Sequence, residues 1–97
     1  MKDFFLESDR IQLRISSLGA ELQSMFDKKH QVEYMWQADP AFWKKHSPVL
    51  FPIVGTLKDN KYEFDGNWYN MSRHGFAREM EFELTGEGEN MLCFTLT

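Results

Sequence analysis

The chain has 97 residues, 42% hydrophobic and 27% charged, a balance ordinary for one small globular domain and too short for two. Its net charge of −4 and isoelectric point near 5.3, with no basic stripe, exclude nucleic-acid binding by phosphate neutralisation. No apolar run approaches the roughly 20 residues of a membrane helix, the N-terminus lacks a signal-peptide core, and the single cysteine, Cys93, leaves no internal disulfide framework; the expectation is a cytoplasmic protein.

The dominant hydrophobic period is two. Residues 4–7 read as a first strand, and Ile11, Leu13 and Ile15 alternate with Gln12, Arg14 and Ser16 in a second. Residues 18–26 form a third, in which Gly19 implies a bulge or a close backbone approach. A polar turn follows at 27–31, then a fourth strand over 32–36. Asp39 and Pro40 can cap one short helical turn in residues 39–46. Pro48 and Pro52 exclude a central strand and force an extended, loop-like path. Residues 62–69 are the clearest hairpin, turning at Asp65-Gly66. Phe82 and Leu84 alternate with Glu81 and Glu83, residues 86–90 form the last turn, and Leu92, Phe94 and Leu96 mark the final strand.

Short strands joined by turns imply an all-β fold, an antiparallel β-sandwich. Aromatic residues reach 15%; they suit a β core, and their faces also stack on sugar rings. The alternation is still running at Thr97, which would leave an unpaired sheet edge, and β-sandwiches often need roughly 200 to 250 residues in one domain. The expectation is therefore that residues 1–97 are the N-terminal portion of a single larger sandwich domain, open to self-association through that edge.

Candidate chemistry concentrates in residues 47–79. His30, His46 and His74 are too widely spaced for a metal-ligand pattern. Gly55-Thr-Leu-Lys58 lacks the remaining elements of a phosphate loop, and Ser47 and Ser72 lack a nucleophile-elbow context. His74 precedes a glycine and lies near Arg78; its imidazole can donate to or accept from a substrate hydroxyl near neutral pH. It equally fits a loop histidine bonded to backbone. Arg78 fits either a two-pronged contact to a carboxylate or paired hydroxyls, or a salt bridge with Glu79 or Glu81. Lys58 and Asp59 fit a polyol contact or a solvated turn, and Trp36, Trp43 and Phe76 fit stacking platforms or core packing.

Several segments together resemble a known family. Gly19-Ala-Glu-Leu-Gln-Ser24, Glu33-Tyr-Met-Trp-Gln37, Asp39-Pro-Ala-Phe-Trp43, Pro48-Val-Leu-Phe-Pro-Ile-Val-Gly55, Leu57-Lys-Asp59 and His74-Gly-Phe-Ala-Arg78 occur in order over nearly the whole chain. They resemble the aldose 1-epimerase family, closest to its galactose-mutarotase-like branch related to the lactose-operon protein LacX. The resemblance implies a large antiparallel sandwich, the "supersandwich", whose members interconvert the α and β anomers of free aldoses, usually without a cofactor, here of a free hexose. It implies a small-molecule sugar as the partner. Catalysis there pairs a glutamate base with a histidine acid, both expected beyond residue 97, so the chain alone is expected to be inactive. His74 would help hold the sugar near its ring oxygen, with Arg78 and Lys58 as further substrate-binding residues. Better-known members carry an Asn-Arg pair in the region where this chain has Thr56-Leu-Lys-Asp59, which leaves that contact to Lys58 or Arg78. The remaining readings are a non-catalytic carbohydrate-binding module and a truncated fragment that self-associates.

Overall fold

A computed structural model describes all 97 residues. Strands β1 (Asp3–Glu7), β2 (Ile11–Ser16), β3 (Glu21–Asp27) and β4 (Val32–Glu33) form an antiparallel meander in chain order. Strands β5 (Lys61–Phe64) and β6 (Asn67–Asn70) make a separate hairpin, and β7 (Glu83–Gly88) and β8 (Met91–Thr95) another. Two 3-10 turns, Lys58–Asn60 and Ala77–Glu79, are the only helical residues. The fold is all-β, and no helix is long and apolar enough to cross a membrane.

The local chemistry explains most of these elements. The β5–β6 turn places Asp65 at φ 50° and Gly66 at φ 78°, the paired left-handed conformation that a two-residue hairpin requires. Tyr62 stacks on its cross-strand partner Tyr69 at 5.3 Å, which reinforces that register. The β2–β3 register slips between Arg14 and Ile15, so the bulge falls opposite those residues and Gln23 is the extra one. Gly19 makes the close approach instead. It sits at φ 72°, and a Cβ there would lie 2.7 Å from the Arg78 carbonyl oxygen.

Several boundaries differ from the sequence pattern, and the third strand, expected from residue 18, begins at Glu21. The fourth strand ends at Glu33, not at residue 36, because its own carboxylate replaces the ladder. Glu33 Oε2 accepts the Met25 and Met35 N–H groups at 2.8 and 3.0 Å, and Oε1 accepts the Ser24 hydroxyl. Burial alone would raise the Glu33 pKa, but these hydrogen bonds outweigh it and lower it. The β7 strand starts one residue after Phe82, because the Phe82 N–H is taken by Ser17 O at 2.8 Å. The final turn is only Glu89 and Asn90, since Gly86 and Gly88 remain paired with Cys93 and Met91.

Apolar burial is scarce. Ala77 is the only hydrophobic side chain that is fully buried, and Phe42, Phe64 and Trp68 are mostly exposed; the high aromatic content does not form a closed core within these 97 residues. The radius of gyration is 16.4 Å, against about 12.5 Å for a compact domain of this length. Polar tethers therefore carry much of the local order. Ser17 binds the N-terminal segment and residues 81–82 together: its Oγ accepts Lys2 N–H and donates to Glu81, and its carbonyl accepts Phe82 N–H.

Asp27 is the second tether. Its side chain is 1% exposed and accepts Arg10 Nε and Nη2 at 3.3 and 3.1 Å, and the Lys29 and His30 N–H groups at 2.9 and 3.1 Å. His30 Nδ1 stands 3.0 Å from Oδ2. The His30 ring, then Arg10, hold the Asp27 carboxyl far below the usual carboxylate range. A lowered folded pKa means that the unfolded chain takes the proton first as pH falls. The Asp27 contribution is therefore complete above about pH 5 and drains away below about pH 4. Thermal unfolding of the chain and of Asp27→Asn across pH should show a melting-temperature gap widest near neutrality and shrinking toward about pH 2. A gap independent of pH would contradict this assignment.

Candidate functional site

The site is assembled by docking residues 48–55 against residues 73–79. Phe51 and Gly75 form an isolated parallel bridge. The Phe51 carbonyl accepts the N–H groups of both Phe76 and Ala77 at 3.1 Å. This approach requires glycine at 75: its φ is 75°, and a Cβ would overlap the Phe51 carbonyl and stand 2.7 Å from Pro52 N. Ala77, 1% exposed, fills the contact with the smallest side chain that still packs.

Next to this bridge, His74 and Gly55 hold each other reciprocally. The His74 N–H donates to Gly55 O at 2.8 Å, and the Gly55 N–H donates to His74 Nδ1 at 2.9 Å. His74 itself is left-handed, at φ 65°, a conformation uncommon outside glycine but enriched in Asn, Asp and His. Arg73 Nε lies 3.2 Å from the other ring nitrogen, Nε2, so both ring nitrogens face an N–H donor, and a neutral ring accepts at only one of them. The ring orientation is thus set by the backbone of the proline-rich loop.

Arg78 is placed from the other side. The Gly19 N–H donates to Met80 O at 2.7 Å, and Gly19 lies against the Arg78 carbonyl. The guanidinium Nη2 donates to Arg73 O at 3.0 Å, which folds the side chain back over the 73–78 loop. Neither acid weighed as an ion-pair partner takes it. Glu81 is held by the Ser17 hydroxyl at 2.7 Å and by the N-terminal ammonium at 3.1 Å; the Ser17 bond, then that ammonium, lower its pKa.

Trp43 is brought in by a chain of side-chain tethers. Asp39 caps a single turn, accepting Ala41 N–H through Oδ1 at 2.9 Å and Phe42 and Trp43 N–H through its carbonyl. Trp36 Nε1 donates to Trp43 O at 2.7 Å, His46 Nδ1 donates to Trp36 O at 2.7 Å, and the Ser47 hydroxyl donates to Leu22 O at 2.6 Å. Residues 34–47 thereby form a strap from β3 to the loop at 48–55.

These contacts open a cleft of about 510 Å³ lined by Trp43, Pro48, Leu50, Arg73, His74 and Arg78. It brings together two of the residues singled out from the sequence, His74 and Arg78. Lys58 lies elsewhere, in an exposed depression of about 790 Å³ with Asp59, Lys61, Trp68 and Asn70. The latter is larger, but in the His74 cleft the polar side chains are held in place by cross-loop hydrogen bonds, so it is the better-built site. Sequence reasoning did not single out Arg73; its only signal was a position one residue before His74. Trp43, a candidate stacking surface, is half exposed at the cleft edge.

The fold and this cleft define a β-sheet protein that presents an aromatic, a histidine and two arginines on one wall. The family model described as aldose 1-epimerase matches residues 3–97, and the chain belongs to that family. It is 35% identical over 96 residues to the chromosomal protein LacX of Lactococcus lactis subsp. lactis, an alignment covering 94% of this chain and 32% of that protein. Among solved structures, a galactose mutarotase related enzyme from Lactobacillus acidophilus is 42% identical, with a TM-score of 0.94 over 98% of this chain and 32% of its own. A galactose mutarotase-like protein from Lactobacillus casei ATCC 334 is 34% identical, with a TM-score of 0.89 over 96% of this chain and 32% of its own. The all-β fold is therefore the galactose mutarotase-like one, and the chain spans about a third of the length of the relatives it matches.

Substitution separates the two roles of glycine here. Gly66→Ala meets open space and should cost about 1 kcal/mol from the left-handed backbone alone. Gly75→Ala adds overlap with the Phe51 carbonyl and should cost about 3 kcal/mol or more. Chemical denaturation of the two variants checks the ranking; equal losses would contradict the docking geometry.

Proposed function

We propose that these residues form one wall of the sugar pocket in a single β-sandwich domain of an aldose 1-epimerase-like protein. The parent activity would be interconversion of the α and β anomers of a hexose by general acid–base catalysis. The observation that carries this reading is the reciprocal His74–Gly55 pair, which holds the imidazole in the same cleft as Arg78 and Trp43. Family membership supports it, as do the similar structures described as mutarotase-related. The absence of basic stripes and of long apolar helices agrees with a cytoplasmic sugar protein.

The roles follow from the donor and acceptor inventory. The His74 imidazole can donate to or accept from a ring oxygen or hydroxyl, and Trp43 offers a face for the apolar side of a pyranose. Arg78 supplies a further donor. Anomerisation needs a base to take the C1 hydroxyl proton while an acid protonates the ring oxygen. No carboxylate lines this cleft. The wall can hold a sugar but has no base to open its ring.

A second reading, a carbohydrate-binding module without catalysis, shares the same wall. Polarimetry on freshly dissolved α-galactose and calorimetric titration with hexoses address both. The 97-residue chain should give no anomerisation above buffer, and His74→Ala should weaken hexose binding about tenfold, the effect of losing one well-placed hydrogen bond. A clear catalytic rate from the chain alone would sink the division of roles. Unchanged affinity in His74→Ala would remove His74 from the site.

A further inference from the structure

Strand β8 has one open edge. Its other edge pairs with β7, and no third strand joins that two-stranded sheet. An unpaired edge offers a row of backbone donors and acceptors to another chain, and proteins blunt such edges with charges and bulges. Strand β7 is blunted in both ways. It carries Glu83 and Glu87, and its register slips between Leu84 and Gly86. Strand β8 is blunted in neither. Among the strands of five or more residues it alone has no charged side chain, and none follows it through Thr97.

The strand also complements itself. Leu92 and Phe94 are half-buried and alternate with the exposed Met91, Cys93 and Thr95. Phe94 stands edge-on to Phe4 of β1, with 5.4 Å between ring centres. Residues directly opposed in an antiparallel pair lie on the same face. Two copies of β8 therefore keep the apolar face continuous only when the two-fold axis passes through a residue. Centring on Cys93 pairs the whole strand: Met91 with Thr95, Leu92 with Phe94, and Cys93 with Cys93 of the second copy. The backbone agrees. The two-residue turn at Glu89 and Asn90 makes Gly88 and Met91 the pair that exchanges hydrogen bonds within the hairpin. Cys93 and Thr95 face β7 in the same sense, so the amides and carbonyls of Leu92 and Phe94 point to the open edge. Those are the residues that the register centred on Cys93 sets opposite each other.

We propose that the chain docks a second copy of itself along β8, antiparallel and centred on Cys93, joining two β7–β8 hairpins into one four-stranded sheet. The outer edges of that sheet are the charged, bulged β7 strands, so the assembly closes as a two-fold dimer and does not extend into a filament.

Sedimentation and light scattering of the 97-residue chain, from micromolar to near-millimolar concentration, should show a reversible species of twice the 11.5 kDa chain mass. A monomer throughout would overturn the proposal, as would open-ended growth. Cys93→Lys sets like charges opposite each other, and Leu92→Pro removes an edge donor. Each should weaken association about tenfold or more where circular dichroism shows the strands retained. Glu83→Gln, on β7, should leave association unchanged; weakening there instead would place the interface on the wrong strand. Oxidised glutathione reads the register. One Cys93 thiolate displaces a glutathione, and the thiolate of the second copy displaces the other, which yields a disulfide-linked dimer and two reduced glutathiones. The opposed, non-hydrogen-bonded pair has Cα atoms about 4.5 Å apart, within disulfide reach. Met91→Cys on a Cys93→Ser background should form the dimer without the covalent link, since Met91 lies opposite Thr95. Efficient linkage at position 91, or a dimer that Cys93 cannot link, would overturn the register.

Discussion

The candidate site depends on one backbone contact, the docking of Gly75 onto the Phe51 carbonyl. That carbonyl receives two N–H groups from residues 76 and 77, and the approach leaves no space for a side chain at 75. Once these strands of loop are in register, the Gly55–His74 pair closes beside them and fixes the imidazole. Histidine is thereby oriented by peptide groups that cannot rotate away, a more rigid support than another side chain would give. The prolines at 48 and 52 fit this role, since they limit the conformations the loop can adopt.

The same logic explains why Arg78 is free to act. Its neighbours in sequence, Glu79 and Glu81, could have neutralised it, but Glu81 is occupied by Ser17 and the N-terminal ammonium. Gly19 holds the Arg78 carbonyl from behind, so the backbone is fixed while the charge stays unpaired. An unpaired charge on a tethered residue costs stability without returning any through pairing. Such groups recur where a ligand completes the interaction.

Periodicity revealed the all-β class and most strands because the alternation at residues 11–16 and 92–96 reflects half-buried faces. The Asp65-Gly66 turn was equally legible, since the conformation it needs is rare outside such residues. What escaped was set by long-range polar contacts. The strand at 32–36 stopped at Glu33 because a carboxylate captured the ladder donors of Met25 and Met35, and nothing local in the sequence announces that. His74 and Arg78 stood out through the glycine between them and the family resemblance, and the structure sets them in one cleft. Arg73 did not, because its importance lies in the donor it turns toward His74. Lys58, the third residue expected to bind substrate, lies in a different depression, since the 3-10 turn at Lys58–Asn60 leads the chain into the β5–β6 hairpin.

Amide hydrogen exchange tests the central contact most directly. The amides of Gly55, His74, Phe76 and Ala77 lie outside every strand, yet each has a defined acceptor across the two loops. They should exchange as slowly as the β2–β3 ladder, at least about a hundredfold slower than exposed loop amides. Exchange of these four amides at the rate of free loop amides would show that the loops are not docked, and the site built on them would fall with that contact.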